Sequence, residues 1–324
     1  MRVIVHGGAG GVPEEPEPRQ AVLDEAAAEG ATATTALDAV EDAVRVLESD
    51  PQFNAGVGGA VQSDGVVRTD AGVMTGDRTA GAAASMAGVE HAVSVARTVA
   101  EETPHVCVAG DSAVDLAAAF GVETDVDLLT ERRRKQYAAE DPPDGGPRDH
   151  LDWLAERFGV STATTGEGER GDGADGGDSA DGAADAEGSD AASDAGKAPD
   201  HDTVGAVAYD PAADRFAAAT STGGRSWALA GRVGDVPQIG SGFFAGPAGG
   251  ASATGAGEDI AKATLSRRAV RHLEDGLDAQ AAADRAVAEF GELTGSSAGV
   301  ILLDDDGAGT AFNSDGMQTS VARE

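Results

Sequence analysis

The sequence predicts an α+β fold in which helices cover the outer faces of stacked antiparallel sheets. Three observations carry that expectation. Short apolar runs bounded by turn residues recur as hairpins, and apolar residues at helical spacing lie between them. Neither half of the 324-residue chain reads as holding a self-sufficient sheet, so strands from both halves must share one.

Taken in order, Val3-Ile4-Val5 ahead of a glycine cluster reads as a buried strand ending in a tight loop. From about Arg19 to Leu47 the pattern is helical, with Leu37, Val40, Val44 and Leu47 on one face. Residues 53–74, FNAGVGGAVQSDGVVRTDAGVM, read as a loop followed by a hairpin. Helices are expected over roughly Val89–Glu101 and Ser112–Phe120. Between Ser161 and Asp202 there is no Val, Ile, Leu, Met or aromatic residue. Such a segment cannot bury enough apolar surface to offset the entropy of ordering it, so 161–202 is expected to be a disordered acidic linker. Then TVGAVAYD, a turn at Pro211–Asp214, and RFAAATST read as an antiparallel hairpin. Long helices are expected from about Glu258 to Glu274 and from about Asp278 to Phe290, and AGVILLDDDGAGTAFNS reads as a second hairpin.

Composition excludes several function classes. With 57 acidic against 23 basic residues the formal charge is −34, and a nucleic-acid phosphate backbone would be repelled. No apolar run approaches the length of a membrane span. Aromatic residues make up 4%, so alanine and glycine must build much of the core. Strong acidity with Lys135, Lys197 and Lys262 as the only lysines fits a halophile's salt-rich cytoplasm, where ions screen the self-repulsion. The opening MRVIVHGGAGG is too short an apolar run for a signal-peptide core, so a cytoplasmic location is expected. Cys107 stands alone, which excludes a disulfide framework, and within VCVAG it reads as a buried structural thiol. The six histidines show no paired metal-ligand spacing, and no catalytic cofactor is expected.

The chemistry gathers around Thr203. It follows the linker directly and opens a strand, so its hydroxyl is placed to attack the preceding Asp202 carbonyl and expose a new N-terminus. The freed α-amine, titrating near pH 8, would then serve as base for its own hydroxyl.

From Thr203 the motifs TVGAVAYD, ATSTGG, GRVGD and SATGAGE follow one another, and VHGGAG, FNAGVGGAV, TDAGVM and ARTVAEETPHVCVAG precede them. With these motifs the chain resembles the plant-type L-asparaginase/isoaspartyl peptidase family of N-terminal nucleophile hydrolases over nearly its whole length outside the linker. The resemblance implies a four-layer αββα sandwich, cut between Asp202 and Thr203 into an α-chain (1–202) and a β-chain (203–324). Two such heterodimers would pair as a dimer.

It implies that Thr203 is the nucleophile and that Thr222 orients it, with Asn54 touching the nucleophile's amine. Thr254 and Gly255 would form the oxyanion hole. Arg232 would grip the substrate α-carboxylate, for which a guanidinium fork is suited, and Asp235 the α-ammonium. The His6-Gly7-Gly8 loop would lie at the scissile bond. The backbone carbonyls of Leu47, Glu48, Asp50, Phe53, Ala55 and Val57 would wrap a structural Na⁺ or K⁺. The chain departs from the family at Arg225-Ser226-Trp227-Ala228, at Ala256 and at Gly58-Gly59.

The implied activity is hydrolysis of asparagine or β-aspartyl dipeptides through a threonine acyl-enzyme. A glycosylasparaginase-like hydrolase is the neighbouring alternative. A Gly-rich phosphate-binding protein is a distant one, because no Walker lysine follows HGGAGG. A non-catalytic acidic partner protein would leave the spaced motifs without a use.

Overall fold

The computed structural model of the chain describes residues 1–13, 15–158 and 203–324, without the side chains of residues 157 and 158. The expected linker, 161–202, and with it Asp202, lies outside the described residues.

Strand β1 (Arg2–Gly10) continues past the apolar triplet through the glycines, with an irregularity between His6 and Ala9 where Gly8 takes φ 110°. The first helical stretch divides into α1 (Pro16–Ala31) and α2 (Ala36–Ser49). Thr35 starts α2 by accepting the Asp38 N–H on its side chain, a standard helix cap. The stripe Leu37, Val40, Val44 and Leu47 is buried. Strands β2 (Arg68–Thr75) and β3 (Ala80–Ala87) form a hairpin, but only β2 falls in the stretch where one was expected, because the turn comes later, at 76–79. Helix α3 (Ala92–Glu102), strand β4 (Cys107–Ala109) and helix α4 (Asp111–Ala119) follow. Cys107 is exposed on β4, the edge strand of its sheet, rather than buried. Helices α5 (Glu131–Ala139) and α6 (Pro147–Phe158) were not expected.

Strands β5 (Val204–Asp210) and β6 (Arg215–Thr222) make the hairpin that starts beside Thr203. A further hairpin, β7 (Phe243–Gly246) and β8 (Gly249–Gly255), precedes helices α7 (Gly257–Ala263) and α8 (Leu265–Glu274). These last two replace the single helix expected, because Thr264 takes a left-handed φ of 52° between them. Helix α9 (Ala279–Thr294), capped by Asp278, leads to β9 (Ala298–Leu303), β10 (Ala308–Phe312) and β11 (Gly316–Arg323).

A seven-stranded sheet has the order β11-β1-β5-β6-β2-β3-β4, so the β5–β6 hairpin sits between β1 and β2. Strands from both sides of the undescribed segment therefore interleave, as expected. The four-stranded sheet, β10-β9-β8-β7, comes wholly from the C-terminal part, which the sequence reading did not anticipate. One apolar cluster joins α1, α2 and α3 to the seven-stranded sheet, and a second joins α7, α8 and α9 to the four-stranded one. A third cluster, with Val207, Phe216, Phe243, Ile301 and Leu303, joins the two sheets. Ala206, Ala208, Ala217 and Ala219 lie in the first cluster, where their small side chains let the helices approach the strands closely. Truncating a fully buried phenylalanine such as Phe243 would cost about 3–5 kcal/mol.

Candidate active site

Register places Val204 opposite Ser221, so Thr203 and Thr222 face each other at one end of the β5–β6 pair. The Thr203 hydroxyl donates to Thr222 Oγ1 at 3.3 Å. Thr222 in turn donates to the Asn54 carbonyl at 3.4 Å and accepts the Gly224 N–H at 3.1 Å. With its own proton committed to Asn54, Thr222 Oγ1 is left as an acceptor for the Thr203 proton.

Asn54 reaches this centre through the loop around it. Its amide donates to the Gly224 carbonyl and its side-chain oxygen accepts the Ala60 N–H, each at 2.6 Å. Its main-chain carbonyl also accepts the Gly223 N–H at 2.8 Å. A Cβ on Gly223 would collide with the Gly59 backbone, so the departure Gly58-Gly59 provides the close approach of two main chains.

Thr203 and Thr222 open onto a cleft of about 390 Å³ that Arg232, Asp235, Gly255 and Glu258 also line. Arg232 directs Nε and Nη2 at Glu258 Oε1, both at 2.8 Å. Gly257 makes room for this, since a Cβ there would strike both Arg232 and Asp235. Burial raises the Glu258 carboxyl, yet Arg232 outweighs it and the group ends below its ordinary value. Asp235 is buried, and its Oδ2 has no hydrogen-bond partner among the described residues. Burial lifts its pKa to about 7, against the pull of its own backbone N–H and Arg232. Asp70, opposite Thr222 in the register, is also buried and lifted to about 7 by burial, while its Oδ1 accepts the Ser85 N–H.

Gly255 reaches the cleft wall with φ 138°, where a Cβ would strike the Ser297 carbonyl. Thr254 is fully buried behind it and accepts the Ala9 N–H at 3.3 Å. His6 is enclosed and bonded to Ser252 Oγ at 2.9 Å, and Ser252 meets Thr220 at 2.7 Å. Burial drives the His6 pKa down to about 3, only weakly opposed by the Thr203 main chain, so the ring is neutral at working pH. The Gly7 carbonyl accepts a hydrogen bond from Arg19.

In the 47–57 segment the Val57 N–H donates to the Glu48 carbonyl at 2.9 Å and the Phe53 N–H to the Asp50 carbonyl at 3.2 Å. The carbonyls of Leu47 and Glu48 belong to the last turn of α2, where no later helical N–H can take them.

Two residues with a place here, Glu258 and Gln62, were not singled out from sequence, and a third, Glu48, was singled out only for its main-chain carbonyl. Glu258 holds Arg232. Gln62 accepts the Gly231 N–H and donates to the Arg232 carbonyl, fixing the Arg232 main chain. The Glu48 side chain, buried and raised by that burial, accepts from Ser221 Oγ at 2.6 Å and Val93 N at 3.0 Å, tying β6 beside Thr222 to α2. GRVGD and SATGAGE were both visible, but their pairing across 26 residues was not.

Among the described residues no helix is long and apolar enough to cross a membrane, and no group of three or more His, Cys, Asp or Glu could hold a metal ion.

Comparison with known proteins covers the whole chain. A family model described as Asparaginase matches residues 1–324. A plant-type L-asparaginase of Pyrococcus furiosus is 36% identical, over 100% of this chain and 97% of its own length. One from Pyrobaculum calidifontis is 37% identical over 94% and 91%. An isoaspartyl peptidase/L-asparaginase of Danio rerio is 32% identical over 99% and 92%. The chain belongs to this asparaginase family.

Proposed function

We propose that the chain is a self-cleaving amidohydrolase that hydrolyses L-asparagine and β-aspartyl dipeptides through an acyl-enzyme on Thr203. The observation that carries the reading is the Thr203 hydroxyl, bonded to Thr222, in one cleft with the Arg232–Asp235 pair of opposite charges. Those charges suit the carboxylate and ammonium of an α-amino acid, and the unpartnered Asp235 Oδ2 is an acceptor suited to the ammonium.

Maturation begins when Thr203 Oγ attacks the Asp202 carbonyl. The peptide nitrogen leaves as the new α-amine, and water hydrolyses the resulting ester. The neutral His6 and Gly7 and Gly8 would flank that bond. In turnover the α-amine takes the Thr203 hydroxyl proton as Oγ attacks the substrate side-chain carbonyl. The developing oxyanion would be met by the Gly255 backbone N–H and by Thr254. The leaving nitrogen takes the proton and departs as ammonia or as an amino acid. Water, deprotonated by the same amine, then releases aspartate.

The same reading gives the molecule four layers, αββα, divided into 1–202 and 203–324, with two heterodimers pairing in a salt-rich cytoplasm. The carbonyls from Leu47 to Val57 fit an alkali cation, because those at the end of α2 carry partial negative charge and each keeps a second lone pair. Such an ion would supply no chemistry of its own and would hold the loop that leads to Asn54.

The test is an intact mass in high salt beside a Thr203→Ala variant. Two fragments, the smaller beginning at Thr203 and absent from the variant, together with ammonia release from asparagine, are expected. A wild-type chain that stays whole and hydrolyses neither substrate would overturn the reading.

A further inference from the structure

The loop that leaves β6 serves the cleft at two points. Where it starts, the Gly224 N–H is bonded to Thr222 Oγ1 at 3.1 Å, one step from the Thr203 hydroxyl. Further along, Arg232 lines the same cleft. From Arg225 to Val233 the one buried residue is Trp227, so the stretch that delivers Arg232 has a single apolar anchor.

That anchor is strained and held. Trp227 takes φ 64°, a left-handed conformation that a bulky side chain rarely adopts and that persists only where the surroundings enforce it. Its ring stacks on Tyr137 of α5, 5.9 Å between centroids and 28° between planes. It also meets the edge of Trp153 of α6 at 6.4 Å. Val61, Val67 and Leu128 complete the apolar cluster around it. Aromatic rings bury a large apolar area, so one docked in this way fixes the main chain at its root.

The hold passes to Arg232 through residues 61–63, which pair with the loop. The Trp227 N–H donates to the Val61 carbonyl and the Ser63 N–H to the Ala228 carbonyl, both at 2.8 Å. The Ala230 N–H donates to Ser63 Oγ at 3.2 Å and the Gly231 N–H to Gln62 Oε1 at 2.8 Å. The Gln62 amide then donates to the Arg232 carbonyl at 3.2 Å. Arg68 pins the Gln62 side-chain oxygen, and the Tyr137 hydroxyl donates to the Ser63 carbonyl at 3.2 Å. Tyr137 thus touches both partners of the pairing, the Trp227 ring and the Ser63 main chain.

We propose that Trp227 is a positioning residue for Arg232: its ring, docked against α5 and α6, fixes the loop that presents the Arg232 guanidinium to the substrate α-carboxylate. The inference rests on the reading above in which Arg232 grips that carboxylate. A bidentate fork needs both of its N–H groups aimed at the anion, and a displacement of about 1 Å forfeits much of the gain. Thr203 and Thr222 lie before Gly224 on their own strand pair, so loosening the loop acts on substrate binding more than on the nucleophile.

The experiment measures kcat and KM for asparagine and for its α-amide, in which an uncharged group replaces the α-carboxylate, at one fixed salt concentration. In Trp227→Ala the ratio of kcat/KM for asparagine over the α-amide is expected to fall about tenfold, mainly through KM for asparagine, and Trp227→Phe to recover part of it. Added to Arg232→Ala, which loses the preference outright, Trp227→Ala should leave the ratio where it is. Tyr137→Leu, on α5, should move the ratio in the same direction, and it reads the proposal where Trp227→Ala does not fold. An unchanged ratio in the variant that folds overturns the inference. Equal losses on both substrates overturn it too, because they mark a residue that only supports the fold. A wild type that hydrolyses neither substrate, or that does not prefer asparagine, overturns instead the reading of the cleft on which the inference rests.

Discussion

Thr203 Oγ1 lies 3.3 Å from Thr222 Oγ1, and the second hydroxyl spends its own proton on the Asn54 carbonyl. The pair therefore has a direction. By accepting from the Thr203 hydroxyl, Thr222 fixes that oxygen's place at the edge of the cleft. Thr222→Val keeps the shape and removes the acceptor, so kcat on asparagine should drop about 10²-fold or more, with a smaller change in KM. Thr222→Ser keeps the oxygen and should retain most of the rate. Steady-state kinetics on both variants checks this, and a Val variant with normal kcat would remove Thr222 from the chemistry.

Asp235 sets a pH dependence. Burial raises its free-enzyme pKa to about 7, and the protonated acid cannot attract the substrate ammonium. kcat/KM should therefore climb through pH 7, while the limb in kcat lies lower because a bound ammonium favours the carboxylate. The same shift has a stability sign. Between about pH 3.8, the ordinary value, and about 7 the folded chain holds a proton that the unfolded chain has lost, so this contribution to stability falls as pH rises. Asp235→Asn should thus lose activity yet melt higher than the wild type at pH 8, with no such gain near pH 3. A kcat/KM profile flat from pH 6 to 8 would refute the assignment.

Much of this site was readable because its chemistry sits in short contiguous runs. Thr203 stands where a solvated composition meets an apolar strand, and Leu37 through Leu47 carry a clean helical period. What was missed lacks local signals. Helix α5, ERRRKQYAA, has no apolar stripe, and it holds its place through Arg133 on the Gly58 carbonyl and Tyr137 on the Ser63 carbonyl. Strand β11 is an edge strand, half-exposed along most of its length, and its pairing with β1 joins the two ends of the chain. The break at Thr264 is a backbone choice that no residue type announced. Glu258 and Gln62 act on Arg232 across 26 and 170 residues, which no single motif can encode.

Gly205 lies at a crossing of the two sheets. It faces His6 across the β1–β5 pair, and a Cβ there would strike Ser252 Oγ and His6 Nε2. Its missing side chain is what lets His6 and Ser252 bond between the layers. Gly205→Ala should destabilise the protein by about 1–3 kcal/mol through overpacking, measured by denaturant unfolding. It should also slow maturation more than Gly276→Ala, an open position at φ 94° whose only cost is backbone strain. Equal effects from the two substitutions would show that the crossing has no special role.

Charge makes the last prediction. A formal charge of −34 on 324 residues means that an acidic group has on average more like than unlike charges around it, since 23 basic residues cannot neutralise 57 acidic ones. Pairs such as Arg271 with Asp275 are more than half-exposed and contribute little. Self-repulsion therefore opposes the compact state at low ionic strength, and salt removes it as the screening length shrinks from about 10 Å at 0.1 M to about 3 Å at 1 M. The melting temperature should rise steeply with KCl over that range, because screening relieves the repulsion while the exposed ion pairs it weakens contribute little. Thermal melts from 0.1 to 3 M KCl test this, with sucrose as a control that strengthens burial without screening. A melting temperature that falls with salt would mean that ion pairs outweigh the repulsion.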